Sequence, residues 1–452
     1  MKKIHFIAIG GSVMHQLAIA LSRKGYEVTG SDDEVYEPAR TNLEKEGILP
    51  EAGWDPSRIT TELDAVLLGM HARADNPELL RAIRLGIPVY SFPEFIYRES
   101  ISKTRVVIGG SHGKTTITSM VLHVLGQSTL DFDYLVGAKL PGFPYSVKLS
   151  EAPLIVCEGD EYPASAVEKI PKFLFYHPQL AVLSGIAWDH INVFPTFEIY
   201  LEQFARFIRE MEAGATLIYQ SEDPELVKLI ARHGTHLRLL PYGLPDHEIR
   251  DGHTIVRFQN LEATLEVFGA HNLRNLAAAR LVCGELGISD GVFLEAVSSF
   301  KGASRRLEKV FEKPGAALFR DFAHAPSKVR ATLEAVREQF PSRKLAAVFE
   351  LHTFSSLNAA FLSQYAHALD LADTAMVFYS SHALEAKRLP ALSAEIIRKG
   401  FARKDLAVTD QVEALYAFLG HQPSGEANLL MMSSGNFAET PLEKIISLWQ
   451  KT

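Results

Sequence analysis

The chain has 452 residues, of which 47% are hydrophobic and 22% are charged, and its formal net charge is −8. This is the composition of an ordinary globular protein, and the length suits about three domains of typical size. The acidic balance argues against a nucleic-acid-binding surface, and the two distant cysteines, Cys157 and Cys283, exclude a disulfide framework and a cysteine metal cluster.

The beginning of the chain could be mistaken for a signal peptide. Its apolar run, residues 4–9, is too short for one and is interrupted by His5, so we interpret it as a buried strand. No segment approaches the roughly 20 apolar residues of a membrane-spanning helix. We therefore expect a cytoplasmic protein without a membrane span.

Short apolar runs alternate with helical patterns in the first hundred residues, which predicts a parallel sheet with crossover helices. The predicted strands and helices are, in turn, residues 4–9, 26–29, 65–68 and 88–90, and residues 13–23, 39–46 and 77–85. Gly10 and Gly11 follow the first strand, and Asp32 closes the second, as in a dinucleotide-binding fold. Since Ala8 and Val13 replace the outer glycines of that fingerprint, three interpretations remain open. They are an NAD site, a nucleotide diphosphate at the same helix N-terminus, and a turn without a ligand.

A glycine-rich segment then lies between an apolar run, residues 103–108, and a helical pattern, residues 117–125. A strand, a glycine turn and a Lys-Thr pair opening a helix form a phosphate site. Backbone N–H groups hold the phosphates, the lysine reaches the outer ones, and the threonine hydroxyl can bind Mg²⁺. The match to the general pattern is imperfect, because Ile108 stands where its first glycine belongs. We predict a nucleoside triphosphate site made by Gly110, Ser111, His112, Gly113, Lys114, Thr115 and Thr116.

Polar residues also follow the predicted strands of the central part, which are residues 154–157, 173–176 and 181–184. Glu158 follows the first of these and could bind Mg²⁺ at the sheet edge where open α/β sheets bind ligands. His190 comes after the third, where a buried structural histidine is the simpler interpretation. A hairpin is predicted at residues 254–258 and 263–268. Asn272 then opens an alanine-rich helix, which it could cap unless it contacts a nucleotide.

A third alternation of strands and helices begins near Ala316, with predicted strands at residues 345–349, 375–379 and 428–432. Linkers are predicted at residues 102–104 and 309–315. Arg306 lies before the second linker, and Asp321 and His324 follow it. An arginine on a hinge suits phosphoryl charge if it enters the site when domains close, whereas a surface pair with Glu308 is the simpler alternative.

Six motifs occur in the order and spacing of the Mur ligases, which the chain resembles over essentially its whole length. The motifs are residues 110–116, 158–162, 189–190, 271–275, 306–308 and 321–326. This resemblance implies an α/β protein with the three-domain Mur ligase architecture. Residues 1–103 would form a Rossmann-like UDP-sugar domain, residues 104–310 a central P-loop ATP domain, and residues 311–452 a C-terminal Rossmann-like acceptor domain. It implies an ADP-forming ligase of peptidoglycan assembly that joins an acid to an amine.

The resemblance also implies roles for individual residues, with ATP and Mg²⁺ as cofactors. Thr115, Glu158 and His190 would bind magnesium, and Asn272, Arg306 and Asp321 would contact the nucleotide together with the glycine-rich segment. The expected catalytic residues are Lys114, His190, Arg306, Asp321 and His324. The expected contacts to the UDP-sugar are Gly10, Gly11, Ser31, Asp32, His71 and Asn76. We expect small-molecule substrates, with no nucleic acid and no obligate protein partner.

The first domain resembles those of the two Mur ligase branches that use UDP-N-acetylmuramate. Residues 30–38, 158–162 and 172–178 are similar to the recycling branch, which adds the tripeptide L-alanyl-γ-D-glutamyl-meso-diaminopimelate, and residues 350–356 depart from the alanine-adding branch. We expect the tripeptide as acceptor, with L-alanine as the alternative. Residues 352–356, Lys387 and Arg388 are the expected lining of the acceptor site.

Two other classes remain as alternatives. An NAD-dependent oxidoreductase leaves Lys114 and Glu158 unexplained. A P-loop binding or switch protein without ligase activity leaves the separate first unit unexplained.

Overall fold

The computed structural model describes residues 2–138, 140–165, 167–188, 193–421 and 426–450. The chain forms two compact units. The first comprises residues 1–186, 200–243 and 278–287, and the second residues 187–199, 244–277 and 288–452. Both units contain a mostly parallel β-sheet with helices, as the alternation of patterns predicts.

The first four strands are β1 (Lys3–Ile7), β2 (Glu27–Ser31), β3 (Ala65–Leu68) and β4 (Val89–Ser91). They form a parallel sheet in the order β2-β1-β3-β4. The helices of this part are α1 (Ser12–Arg23), α2 (Ala39–Lys45), α3 (Pro77–Leu85) and α4 (Phe92–Glu99). All four residues of β3 are buried, as expected of a parallel strand covered on both faces. The predicted strands and helices are confirmed here with small shifts of their ends.

The second sheet has seven strands, and all its neighbours are parallel except the last pair. Its strands are β5 (Thr104–Gly109), β6 (Asp133–Leu135), β7 (Val147–Lys148), β8 (Leu154–Glu158), β9 (Leu180–Leu183), β10 (Thr216–Gln220) and β11 (Arg238–Tyr242). Their order is β11-β10-β9-β5-β8-β6-β7. The helices α5 (Lys114–Leu125), α6 (Phe197–Glu210) and α7 (Pro224–His233) connect them. The carboxyl end of β5 therefore lies between those of β8 and β9.

The strand predicted at residues 173–176 is wrong. Residues Lys172–Phe175 form a short 3₁₀ helix that begins after Pro171, and its Phe173 is fully buried and stacked on Phe207 with ring centroids 4.7 Å apart. A short apolar run has the same composition in a buried strand and in a buried helical turn, so periodicity could not separate the two.

The first sheet of the second unit is antiparallel. It consists of β12 (Asp246–Arg250), β13 (His253–Phe258) and β14 (Leu261–Leu265). The predicted hairpin is confirmed as β13 and β14, whereas the polar β12 was not predicted. The helices α8 (Ala270–Glu285) and α9 (Asp290–Ser298) follow.

The last sheet has the order β15-β16-β20-β17-β18-β19. Its strands are β15 (Glu308–Lys313), β16 (Ala316–Asp321), β17 (Lys344–Leu351), β18 (Thr374–Tyr379), β19 (Ala407–Thr409) and β20 (Ala427–Met432). Its helices are α10 (Pro326–Gln339), α11 (Ser381–Ala386), α12 (Ala394–Gly400), α13 (Val412–Gly420) and α14 (Leu442–Gln450). All pairs are parallel except β15 with β16.

The linker predicted at residues 309–315 is wrong, because most of it is the edge strand β15. Four of the six residues of this strand are charged, as is common on sheet edges, and such a composition is also typical of a polar connection. The two compact units do not coincide with the three expected domains, whose boundaries stay a prediction. Within the described residues, no helix is both long and apolar enough to cross a membrane.

Candidate functional site

The glycine turn predicted to bind phosphates joins β5 to α5. Gly110 and Gly113 have φ angles of 117° and 78°, in the left-handed region that favours glycine. A Cβ on Gly110 would lie 2.7 Å from the backbone nitrogen of Ser184, just after β9. The turn is fixed further, because Ser111 N–H donates to the Gly185 carbonyl over 3.0 Å and the Ser184 hydroxyl donates to the His112 carbonyl. The backbone is thus preshaped before the N-terminus of α5.

Lys114 lies at the first position of α5 and is held by two acceptors. Its Nζ donates to the Gly110 carbonyl over 2.7 Å and to Oε2 of Glu161 over 2.6 Å. The Tyr200 hydroxyl is 3.2 Å from the other Glu161 oxygen and 2.8 Å from Oγ of Ser111. Burial disfavours the charged lysine, but the negative charges of Glu161 and Asp160 outweigh it and raise the pKa of Lys114. The lysine is therefore a fixed cation at the turn.

Glu161 was not among the predicted site residues. The only signal in the sequence was its place in the same acidic motif as Glu158.

Thr115 and Glu158, two of the three expected magnesium ligands, are in direct contact. Thr115 Oγ1 donates to Oε1 of Glu158 over 2.7 Å, and the Gly137 N–H donates to Oε2 over 2.9 Å. The contact follows from the sheet, because β8 pairs with β5 and places Glu158 beside Ile108. A hydroxyl and a carboxylate fit Mg²⁺, which takes oxygen ligands and keeps several positions for water and phosphate.

The third expected ligand, His190, lies outside the described residues, as does Asp189. Among the residues that are described, no group of three or more His, Cys, Asp or Glu side chains could hold a metal ion.

The glycine turn after β1 is braced by Asp32. Oδ2 of Asp32 accepts the Gly10 N–H over 2.7 Å, and Oδ1 accepts its neighbour Asp33 N–H over 2.9 Å. Burial raises the pKa of Asp32, and these two hydrogen bonds oppose the shift. A Cβ on Gly10 would lie 2.9 Å from the same Oδ2, so glycine allows the close approach.

The other expected sugar-nucleotide residues lie in different surroundings. Ser31 is buried, with Oγ 3.3 Å from His5 Nε2 and 3.2 Å from the donating Arg58 guanidinium. Asn76 is also buried and caps α3, because its side chain accepts the N–H groups of the second and third helical residues. His71 is exposed in the segment after β3, and Gly11 is half-buried.

In the second unit, Asp321 ends β16 and organises the chain around it. Its carboxylate accepts the Leu307 N–H over 2.5 Å and the Ala323 N–H over 2.6 Å. Burial raises the pKa of Asp321 to about 6, partly opposed by Arg306. The Arg306 guanidinium lies 4.7 Å from the centre of the Phe322 ring. The structure thus brings Arg306 and Asp321 together.

The alternative pairing of Arg306 with Glu308 does not describe this segment, since Glu308 contacts Arg320 over 2.9 Å. His324 is buried, with Nδ1 2.9 Å from the Phe322 carbonyl. Asn272 lies inside the first turn of α8 instead of before it, so the capping interpretation is wrong. Its amide donates to the Phe268 carbonyl over 3.0 Å.

A cleft that is open to solvent lies in the second unit at the ends of β16 and β20. Its lining includes Arg305, Arg320, Asp321, Ser433, Gly435, Asn436, Phe437 and Thr440. Nε of Arg320 is buried and has no hydrogen-bond partner in the described part of the chain. Burial and then the neighbouring Arg320 lower the pKa of Arg305. Two guanidinium groups therefore share this cleft.

Glu350, at the end of β17, supports one wall of the cleft. It is 1% exposed and accepts the Phe437 N–H over 2.9 Å and the Ser433 hydroxyl. His352 Nδ1 lies 3.9 Å from its other oxygen. The cleft was not predicted, and neither Lys387 nor Arg388 is among its lining residues.

Three family models match successive parts of the chain. "Mur ligase family, catalytic domain" matches residues 3–100, "Mur ligase middle domain" residues 108–283, and "Mur ligase, glutamate ligase domain" residues 305–435. The glycine turn after β5 and the Glu158 motif fall in the second match. Asp321 and the cleft residues from Arg305 to Gly435 fall in the third.

Curated relatives are similar over nearly the whole chain. A UDP-N-acetylmuramate–L-alanine ligase from Paenarthrobacter aurescens (strain TC1) is 32% identical over 427 residues, which is 92% of this chain and 91% of the relative. The corresponding ligase from Carboxydothermus hydrogenoformans is 29% identical over 96% of this chain and 94% of its own length.

Solved structures share the fold. A UDP-N-acetylmuramate–alanine ligase from Thermotoga maritima has a TM-score of 0.71, with 23% identity, and the match covers 100% of this chain and 99% of that one. A murein peptide ligase from Psychrobacter arcticus 273-4 has a TM-score of 0.67, with 22% identity and 99% of both chains covered. A UDP-N-acetylmuramate:L-alanyl-γ-D-glutamyl-meso-diaminopimelate ligase from Neisseria meningitides is 26% identical, with a TM-score of 0.62. That match covers 68% of this chain and 100% of the other.

These matches exclude the two alternative classes, an NAD-dependent oxidoreductase and a P-loop switch protein. They extend over the glycine turn, the acidic motif and the last sheet alike. Mur ligases are enzymes of peptidoglycan biosynthesis that use ATP and release ADP as they form an amide bond. With three Mur ligase domains in order and a relative that is 32% identical over nearly its full length, the chain belongs to the Mur ligase family.

Proposed function

We propose that this enzyme joins the tripeptide L-alanyl-γ-D-glutamyl-meso-diaminopimelate to the lactyl carboxylate of UDP-N-acetylmuramate, as in the recycling of peptidoglycan. The observation that carries the choice of acceptor is the cleft with Arg305 and Arg320. Free alanine carries a single carboxylate, whereas the tripeptide carries several that two guanidinium groups can bind.

The charges of the cleft fit such an acceptor. An arginine guanidinium binds a carboxylate through two parallel hydrogen bonds, and the buried Nε of Arg320 has a donor left for one of them. Glu350 places negative charge behind the wall formed by Ser433 and Phe437, on a side where an ammonium group would be favoured. The cleft thus combines the two kinds of charge that a peptide ending in diaminopimelate presents.

ATP binds at the glycine turn after β5 in this proposal. The N–H groups of the turn and the N-terminus of α5 hold the phosphates, and Lys114 reaches the outer ones. Thr115 and Glu158 are the oxygen donors for Mg²⁺, which neutralises phosphate charge when bound, and His190 is the proposed third ligand. Asp321 and His324 come from the C-terminal domain, and Asn272 and Arg306 belong to the nucleotide site.

The sugar nucleotide binds at the turn after β1. Gly10 and Gly11 leave room for its phosphates, Asp32 holds the turn, and His71 is accessible beside β3. Ser31 and Asn76 support this surface from within, since both are buried with partners of their own. The domain boundaries 1–103, 104–310 and 311–452 belong to the same proposal.

The reaction then proceeds through an acyl phosphate. The lactyl carboxylate attacks the γ-phosphorus in line, and the bond to the leaving ADP breaks. The amine of the acceptor attacks the acyl carbon, loses a proton, and expels inorganic phosphate from the tetrahedral intermediate. Since no covalent bond to the enzyme forms, Lys114 and its neighbours act by bringing two anionic reactants together and holding them in line.

L-alanine is the second candidate acceptor, because the curated relatives described above are named as alanine ligases. The two candidates differ in the acceptor alone. They can therefore be separated with a single assay.

The test is release of phosphate by the purified full chain with ATP, Mg²⁺ and UDP-N-acetylmuramate, offered L-alanine, the dipeptide or the tripeptide. We expect kcat/KM for the tripeptide to exceed that for alanine by at least ~10²-fold, since each charged contact contributes on the order of 1.5–3 kcal/mol. UDP-N-acetylglucosamine, which lacks the lactyl carboxylate, is the negative control. Equal or better ligation of free alanine would assign the alanine ligase activity instead.

Arg320→Gln tests the cleft itself. It should lower kcat/KM for the tripeptide by about 10-fold or more, as expected for a lost charged hydrogen bond, and leave that for alanine nearly unchanged. Glu308→Gln is the matched control, because it breaks the same ion pair but keeps the guanidinium. An equal loss in both variants would attribute the effect to folding of the β15–β16 edge.

A further inference from the structure

Helix α1 connects the two glycine-containing regions of the first unit through its buried polar side chains. We propose that Gln16 is a positioning residue of the ligase, which sets the turn after β1 in register with the Thr115–Glu158 centre. This inference rests on the proposed function, in which the sugar nucleotide binds at the first turn and ATP at the second.

The path begins at the turn after β1. The Gly11 carbonyl lies 2.9 Å from Nδ1 of His15, which is 4% exposed. Because a carbonyl only accepts, Nδ1 carries the proton, and Nε2 of a neutral His15 is then an acceptor. The side-chain N–H of Gln16 donates to this Nε2 over 2.9 Å. Gln16 is itself 9% exposed, so both side chains are fixed by packing as well as by hydrogen bonds.

Gln16 then passes the link to the second sheet. Its Oε1 accepts the backbone N–H of Ser146 over 3.1 Å, 130 residues further along the chain. The Ser146 carbonyl accepts the N–H of Val136 over 2.9 Å. The next residue, Gly137, donates its N–H to Oε2 of Glu158. The Gln16 amide therefore links the two regions, because its nitrogen contacts His15 and its oxygen contacts Ser146.

The path ends at the proposed magnesium ligands, since the other Glu158 oxygen accepts the Thr115 hydroxyl. A lactyl carboxylate held by the first turn must reach a γ-phosphate held by the second within bonding distance. Misplacement by about 1 Å can cost on the order of 10²-fold in rate, so a rigid link between the two holders affects turnover more than binding.

A second contact also joins α1 to the segment that precedes β7, but it is not part of this hydrogen-bonded path. At the other end of α1, the Arg23 guanidinium lies 4.1 Å from the centre of the Tyr145 ring. Arg23 also pairs with Glu46 over 2.8 Å, on the outside of the fold. It therefore serves as a matched control for docking alone.

The experiment compares the full-length wild type with Gln16→Met, which keeps the length of the side chain but loses both hydrogen bonds. We expect kcat to fall about 10-fold, while KM for ATP and for UDP-N-acetylmuramate each change less than about 3-fold. Gln16→Glu keeps an acceptor for the Ser146 N–H and should recover kcat to within about 3-fold. Arg23→Ala should keep kcat within 2-fold of the wild type.

An unchanged kcat in Gln16→Met, a rise in KM alone, or an equal loss in Arg23→Ala would each overturn the inference. If Gln16→Met lowers the thermal unfolding temperature by more than a few degrees, His15→Asn replaces it, because it breaks the same path one step earlier. Assays with both alanine and the tripeptide keep the result independent of the acceptor. Wild-type turnover with UDP-N-acetylmuramate tests the proposed function, and the ratio of variant to wild type tests Gln16.

Discussion

Carboxylates at the candidate site differ in what their surroundings allow them to do. Glu158 is half-buried and receives one hydroxyl and one backbone N–H, so both oxygens are oriented before any ligand arrives. Asp321 is buried with two backbone N–H donors, and burial dominates its protonation. The sequence alone does not distinguish the two carboxylates, whereas their neighbours in the fold show that Glu158 is partly accessible and that Asp321 is buried.

The magnesium role that we propose for Glu158 predicts a specific change in metal dependence. Glu158→Gln keeps the size of the side chain and an acceptor for Thr115 but removes the negative charge. We expect the Mg²⁺ concentration for half-maximal turnover to rise at least ~10-fold, because a charged oxygen ligand is lost. Titration of activity with Mg²⁺ at saturating ATP measures it, with binding of UDP-N-acetylmuramate by calorimetry as the control. Identical magnesium curves for variant and wild type would remove Glu158 from the metal site.

The buried Asp321 predicts a pH dependence of stability. Its pKa is raised from 3.8 to about 6 in the folded protein, so its contribution is present below pH 4 and is lost as the pH rises through 6. Between pH 5 and 7.5 the wild type should therefore lose on the order of 1–2 kcal/mol relative to Asp321→Asn, which does not titrate. Chemical denaturation of both proteins at several pH values measures the difference. Parallel curves would show that Asp321 does not titrate in this range.

At the scale of elements, the glycine turn after β5 is shaped by its neighbours as much as by its own residues. The carbonyl of Gly185 and the side chain of Ser184, both just after β9, hold the turn from one side. Lys114 holds it from within by donating to the Gly110 carbonyl. The central place of β5 in the sheet makes these contacts possible.

Gly110→Ala tests this preshaping. An added Cβ would lie 2.7 Å from the Ser184 nitrogen at a φ of 117°, a conformation that costs a side chain about 1–3 kcal/mol. We expect ATP affinity, measured by calorimetry, to fall at least ~10-fold. Gly214→Ala is the matched control, since φ there is 83° and the described part of the chain leaves its surroundings open. A similar loss of affinity in both variants would mean that backbone strain alone, and not the shape of the turn, controls binding.

At the scale of the whole molecule, three domains match in sequence while the chain packs as two units. The first unit joins the turn after β1 to the turn after β5 through α1, and the second unit holds Asp321, Arg306 and the cleft. Each unit therefore contains residues of the proposed ligase site. An acyl phosphate must also be shielded from water, which gives a multidomain enzyme a reason to close around its substrates.

The sequence alone predicted most of the elements and the phosphate turn. Parallel strands buried on both faces have continuous apolar runs, and glycine next to Lys114 and Thr115 serves a chemical need that few other patterns meet. These signals depend on residues that are close together in the chain, so they can be recognised without knowledge of the fold. The predicted place of Glu158 at the ligand-binding edge of the sheet also followed from them, because adjacent parallel strands end at the same edge.

Only the tertiary structure decided the features that depend on distant partners. The run at residues 172–175 became a 3₁₀ helix through packing on Phe207, and residues 308–313 became a strand through pairing with β16. Three features join residues that are far apart in the chain. They are the contact of Lys114 with Glu161, the cleft at Arg320 and the link through Gln16. Hydrogen bonds and burial between such residues leave no periodic trace in a sequence, because they depend on where the sheet brings the chain back.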